Sequence, residues 1–145
     1  MNNGNILNLN NVEVMYHEVI LVLKGVSLSV PSGGIVALLG ANGAGKSTTL
    51  KAISGLLKHE NGRVTDGSIE FLDSRIDRRS AEEISRAGII QVIEGRRVFE
   101  HLTVEENIKV GAHLNSAKLK HGIDKVYEYF PRLKTIRDRT AGFCS

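Results

Sequence analysis

Residues 40–48 read Gly-Ala-Asn-Gly-Ala-Gly-Lys-Ser-Thr, and few backbone settings tolerate such a run. It fits the pattern G-x-x-x-x-G-K-S/T, with Gly40, Gly45, Lys46 and Ser47 at the defining positions. Glycines admit positive φ and let the main chain approach a ligand with no Cβ in the way. Successive amides then form a nest of donors for anionic oxygens. A helix beginning at the end of the run would add the positive end of its dipole. Lys46 supplies a mobile charge for β and γ phosphates, and the Ser47 hydroxyl is a ligand for Mg²⁺. The predicted phosphate loop comprises Gly40, Ala41, Asn42, Gly43, Ala44, Gly45, Lys46, Ser47 and Thr48. Its glycines are spaced G-x-x-G-x-G, which excludes the dinucleotide fingerprint G-x-G-x-x-G.

The flanks suit such a loop. Gly34-Ile35-Val36-Ala37-Leu38-Leu39 is an unbroken apolar run, predicting a strand buried on both faces of a parallel sheet. Behind the loop, Leu50, Ile53, Leu56 and Leu57 recur at helical spacing. Upstream, Leu7 and Leu9 and, after a break, Val12 and Val14 keep a period near two. Val19–Leu23 and Val26–Val30 extend the strand signal, and alternation with Ser27 and Ser29 predicts a half-exposed antiparallel strand. Residues 61–67 read as a polar connection, 67–72 as a short strand and 88–93 as a second buried strand. Ser80 with Glu83, and Thr103 with Glu106, are capping-box pairs that open helices. A further helix over about 118–130 carries Ile123, Val126, Tyr127 and Phe130 on one face, with Pro131 to end it.

The 145 residues suffice for one domain of ordinary size, and a scattered net charge of +3 gives no basic stripe for nucleic acid. The one cysteine, Cys144, fits a reducing cytoplasm. No apolar run approaches the roughly 20 residues of a spanning helix, and Met1–Asn5 lacks the regions of a signal peptide. His17, His59, His101, His113 and His121 show no paired metal spacing and read as surface residues. Arg75, Arg78 and Arg79 with Asp73 and Asp77 read as a solvated face.

The order of antiparallel strands, Tyr16, the phosphate loop, Glu94-Gly95-Arg96-Arg97-Val98-Phe99 and Leu102-Thr103-Val104-Glu105-Glu106-Asn107 closely resembles the ATP-binding subunits of ABC transporters. The Glu94–Phe99 stretch and Tyr129-Phe130-Pro131-Arg132-Leu133 resemble the ATPases of branched-chain amino-acid importers. The resemblance implies an α/β fold: a phosphate-loop NTPase core with an N-terminal antiparallel strand layer (residues 1–99), then the start of a helical subdomain (residues 100–145). It implies ATP and Mg²⁺ as cofactors, a second ATP-binding subunit and membrane permease subunits as partners, and a cytoplasmic place on the inner face of the membrane. Tyr16 matches the family's adenine-stacking aromatic, or else it is a strand tyrosine packed in the core. Glu94 stands where most members carry a glutamine near Mg²⁺, as is usual in the branched-chain subgroup. It would bind the metal directly or through water, or it is a solvated turn carboxylate. Phe143-Cys144-Ser145 resembles the lead-in to the signature loop, so the chain reads as the amino-terminal portion of a longer subunit, inactive in hydrolysis by itself. A nucleotide-binding fragment without turnover and a soluble non-transport ABC ATPase stand as alternatives.

Overall fold

A computed structural model describes residues 4–95, 97–112 and 119–144. The chain divides into two compact units, residues 1–91 and 92–145.

The first unit is built on four antiparallel strands in the order β2-β1-β3-β4: β1 Asn5–Tyr16, β2 Ile20–Pro31, β3 Gly62–Phe71 and β4 Ser74–Arg75. The break in the alternation of β1 is a β-bulge. Leu9 pairs with Leu28 and Val12 with Val26, so Asn10 and Asn11 share Ser27 as their single opposite number. The extra residue keeps Leu9, Val12 and Val14 all on the buried face. They pack with Leu23, Ile69, Ile76 and Ile84, and with Ala52 and Leu57, in one core cluster. On β2, Val26, Leu28 and Val30 alternate with exposed Ser27 and Ser29 as expected. Residues 61–67 are not a connection. Gly62 onward is β3, Asn61 being the turn before it, and Gly67 stands opposite the bulge.

Helix α1 (Lys46–Ser54) follows the loop and turns its Thr49, Ala52 and Ser54 face inward, leaving Leu50 exposed. Gly55, left-handed, ends it. A Cβ at Gly55 would come within 2.9 Å of Ile84 Cδ1 and 3.0 Å of Ala81 N, so a glycine lets α2 (Ala81–Ala87) approach. The Ser80–Glu83 capping box is formed.

Two predicted strands are absent. Residues 34–40 and 89–93 pair with no strand among the described residues; Ile89 packs against the core cluster, but most of the other apolar side chains face solvent, with Ile35 100% exposed and Val92 93%. A strand of a parallel sheet needs a ladder partner and covering layers, and hydrophobicity alone supplies neither.

Asp77 does not belong to a solvated face. Its carboxylate is 3% exposed and accepts from Arg75 Nε at 2.8 Å and Ile69 N–H at 3.2 Å. Burial pushes its pKa up, but the Arg75 and backbone hydrogen bonds outweigh that, and the carboxyl titrates below its ordinary value. A depressed folded pKa contributes stability above the unfolded value that is lost as pH falls through the folded one. Asp77→Asn should therefore cost about 1–3 kcal/mol at neutral pH and flatten the loss of stability in acid. Thermal melts between about pH 7 and about pH 3 check this; an unchanged acid slope would refute it.

The second unit holds α3 (Val104–Gly111), α4 (Leu119–Tyr129) and α5 (Pro131–Thr135), which starts at the proline that stops α4. Thr103 and Glu106 form the expected capping box. Asn107 fastens the preceding turn: its Oδ1 accepts from Phe99 N–H at 2.8 Å, and its Nδ2 donates to the Phe99 and Thr103 carbonyls at 3.0 and 2.9 Å. Tyr127 Oη donates to Glu105 at 3.0 Å, joining α4 to α3. Ile123, Val126 and Tyr127 are half-buried, whereas Phe130 is exposed. His113 and Lys118, where the helix over about 118–130 is expected to begin, lie outside the described residues.

Candidate functional site

The loop conformation follows from its glycines. Gly43 and Gly45 take φ of 83° and 86°, in the left-handed region that a side chain disfavours. Ala44 N–H donates to the Ala41 carbonyl at 3.1 Å and closes the turn. Gly45 caps α1, and its carbonyl accepts both Thr49 N–H at 2.8 Å and Thr49 Oγ1 at 3.0 Å. The buried Thr49 hydroxyl thus locks the first turn. A Cβ on Gly45 would lie 2.5 Å from Leu23 Cδ2, so the loop's end sits directly on β2.

A helix leaves its first amides without intrahelical acceptors. Here the amides of Gly43, Gly45, Lys46, Ser47 and Thr48 find no acceptor among the described residues, and no side chain caps the helix. Lys46 folds back over the loop, its Nζ donating to the Gly40 and Ala41 carbonyls at 2.8 and 2.7 Å. Residues 40–44 and Ser47 are exposed. The arrangement gathers amide dipoles, a helix N-terminus and an ammonium at one solvent-facing place without a carboxylate in the first turn of α1. A polyphosphate fits that donor set, and the exposed Ser47 hydroxyl offers the hard oxygen that Mg²⁺ prefers.

Tyr16 ends β1, opposite Ile20 on β2 and Gly62 on β3. It is half-buried, at the margin of the core cluster. Val14, two residues before it, pairs with the Leu23 that carries Gly45. Tyr16 and the loop are therefore mounted on neighbouring strands of one sheet. Glu94 is exposed, in a bend before Gly95 (φ 80°), and belongs to the second unit. Cys144 is half-buried, with its thiol 3.5 Å from the Thr140 carbonyl, while Ser145 and Arg96 lie outside the described residues. Sequence reasoning missed Leu23, Thr49 and Gly62. Only Gly62 carries a signal, since a glycine inside a strand marks a close approach, but residues 61–67 read as a polar connection.

The ABC transporter family matches residues 23–142. The high-affinity branched-chain amino acid transport ATP-binding protein BraG of Pseudomonas aeruginosa is 40% identical over 131 residues, covering 90% of this chain and 54% of BraG. The probable branched-chain amino acid transport ATP-binding protein LivG of Methanocaldococcus jannaschii is 32% identical over 152 residues, covering 94% of this chain and 57% of LivG. A nucleotide-free ATP-binding cassette from an ABC transporter superposes with a TM-score of 0.77 at 26% identity, over 97% of this chain and 59% of the solved one. The chain spans about half the length of the curated relatives it matches. The α/β fold expected from the sequence is the fold of that cassette, and the family match takes in the whole phosphate loop. By that match and that fold, the chain belongs to the ABC transporter family of ATP-binding proteins.

Proposed function

We propose that the protein is the ATP-binding subunit that energises an ABC-type importer, and that the assembled transporter carries branched-chain amino acids. The observation that carries this reading is the loop at the start of α1, with its open amides, Lys46 and Ser47. The open amides of Gly43, Gly45, Lys46 and Ser47 hold the β and γ phosphates, Lys46 compensates their charge, and Ser47 holds Mg²⁺. Bound Mg²⁺ supplies neutralisation of phosphate charge. Tyr16 stacks on the adenine, and Glu94 contributes to the metal site directly or through water. Among the described residues no helix is long and apolar enough to cross a membrane. As the names of the transport ATP-binding relatives suggest, the subunit works through permease subunits, at the cytoplasmic face of the membrane, paired with a second ATP-binding subunit. Hydrolysis belongs to the complete subunit.

The cargo assignment is supported by the names of BraG and LivG. Its test is uptake. Deleting the gene should abolish high-affinity uptake of labelled leucine, isoleucine and valine, and leave uptake of a sugar such as ribose unchanged. Normal branched-chain uptake in the deletion strain would remove the cargo assignment. Restoration by wild type but not by Lys46→Ala would tie uptake to the phosphate loop.

A further inference from the structure

Resting on the reading of Tyr16 as the base-stacking residue, we propose that Gly62 is a positioning residue for that ring. Tyr16 and Gly62 are directly opposite in the β1–β3 ladder. A Cβ at Gly62 would lie 2.6 Å from Tyr16 Cε1, 2.8 Å from Cδ1 and 3.2 Å from Cζ. The aromatic ring thus rests against bare main chain, and any side chain at 62 would occupy its seat. The backbone itself makes no demand for glycine here, because Gly62 is not in the left-handed region. What needs the glycine is the ring.

The seat is held on both sides. His17 N–H donates to the Asn61 carbonyl at 2.9 Å. Arg63 grips Glu18 with two hydrogen bonds of 2.9 and 2.7 Å. Residues 61 and 63 therefore tie the turn after Tyr16 to the start of β3 and resist separation of the two strands. The ring is the part able to yield. It is half-buried at the end of the strand and swings by side-chain rotation. A methyl group at 62 therefore displaces the stacking surface while leaving the phosphate loop, which is seated on Leu23, in place.

The test uses the full-length subunit with Mg²⁺ and two probes, ATP and inorganic tripolyphosphate, on wild type, Tyr16→Ala, Gly62→Ala and the double variant. Each single substitution should weaken ATP about tenfold, the worth of a stacked base. The double variant should bind ATP no more weakly than Tyr16→Ala, because no ring remains to be displaced. Tripolyphosphate should bind all four equally. Gly62→Ala should lower the melting temperature in the presence of Tyr16 and leave it unchanged in the Tyr16→Ala background. Wild-type ATP affinity in Tyr16→Ala would overturn the stacking reading itself. Weakened Tyr16→Ala beside a wild-type Gly62→Ala would overturn the positioning role alone. So would loss of tripolyphosphate binding in Gly62→Ala, or additive losses in the double variant.

Discussion

Lys46→Ala in the full-length subunit should weaken ATP binding by about 100-fold or more while leaving the melting temperature unchanged. A hydrogen bond to a charged group contributes about 1.5–3 kcal/mol, and about 2.7 kcal/mol is a factor of 100. The ammonium is the one cationic side chain in the loop, held over it by the Gly40 and Ala41 carbonyls. Those carbonyls are exposed, so water replaces the lysine there and the fold loses little. Alanine also suits the first turn of a helix. What remains for the phosphates is the set of open amides and the helix dipole. The dipole is worth about 0.3–1 kcal/mol at an exposed site, too little to replace a lysine that meets two phosphate groups. A titration with labelled ATP decides it. Equal affinity in wild type and Lys46→Ala would remove the phosphate-loop assignment, and with it the proposed function.

What could be read from the sequence was what residues decide within a turn or two of themselves. The loop at 40–48, both capping boxes and the stop at Pro131 are local events, and each stands where its residues put it. The break between Leu9 and Val12 was legible too, but it suits one extended segment or two; only the strand register shows it to be a bulge. The failures are non-local. Ile35 and Val92 have the hydrophobicity of buried strands, but burial depends on partners elsewhere in space. Asp77 looked like one charge among many because nothing in its neighbourhood announces that Ile69 N–H and Arg75 converge on it. The seats of the site, Leu23 under Gly45 and Gly62 under Tyr16, depend on strand register, which no spacing along the chain reports.

Gly67→Ala should be the most damaging small substitution in the first unit, costing on the order of 2–5 kcal/mol of folding stability, summed from a left-handed residue at about 1–2 and overpacking at about 1–3. Asn10 pairs with Ser68 and Glu13 with Asp66, so Asn11 and Val12 both stand opposite Gly67. The bulge drives main chain into that position. A Cβ on Gly67 would lie 2.3 Å from the Asn11 carbonyl oxygen, 2.4 Å from that of Asn10 and 2.6 Å from Asn11 C. Gly67 also holds φ of 82°. Every atom it would strike is backbone, so no side-chain rotation relieves the clash. Relief would require β1 to move, and β1 is the strand between β2 and β3 whose Val12 is fully buried beside it, as is Ile69 on β3. Gly25, on the other side of the same bulge, gives the comparison. Its Cβ would meet Asn11 Oδ1 at 2.6 Å, the end of a side chain that can turn away, at a similar φ of 93°. Gly25→Ala should therefore cost only the conformational part, about 1–2 kcal/mol. Urea unfolding of the full-length protein measures both. A Gly67→Ala variant no less stable than Gly25→Ala would mean that the strands slide past the bulge, and that the buried faces of β1 and β3 do not fix their register.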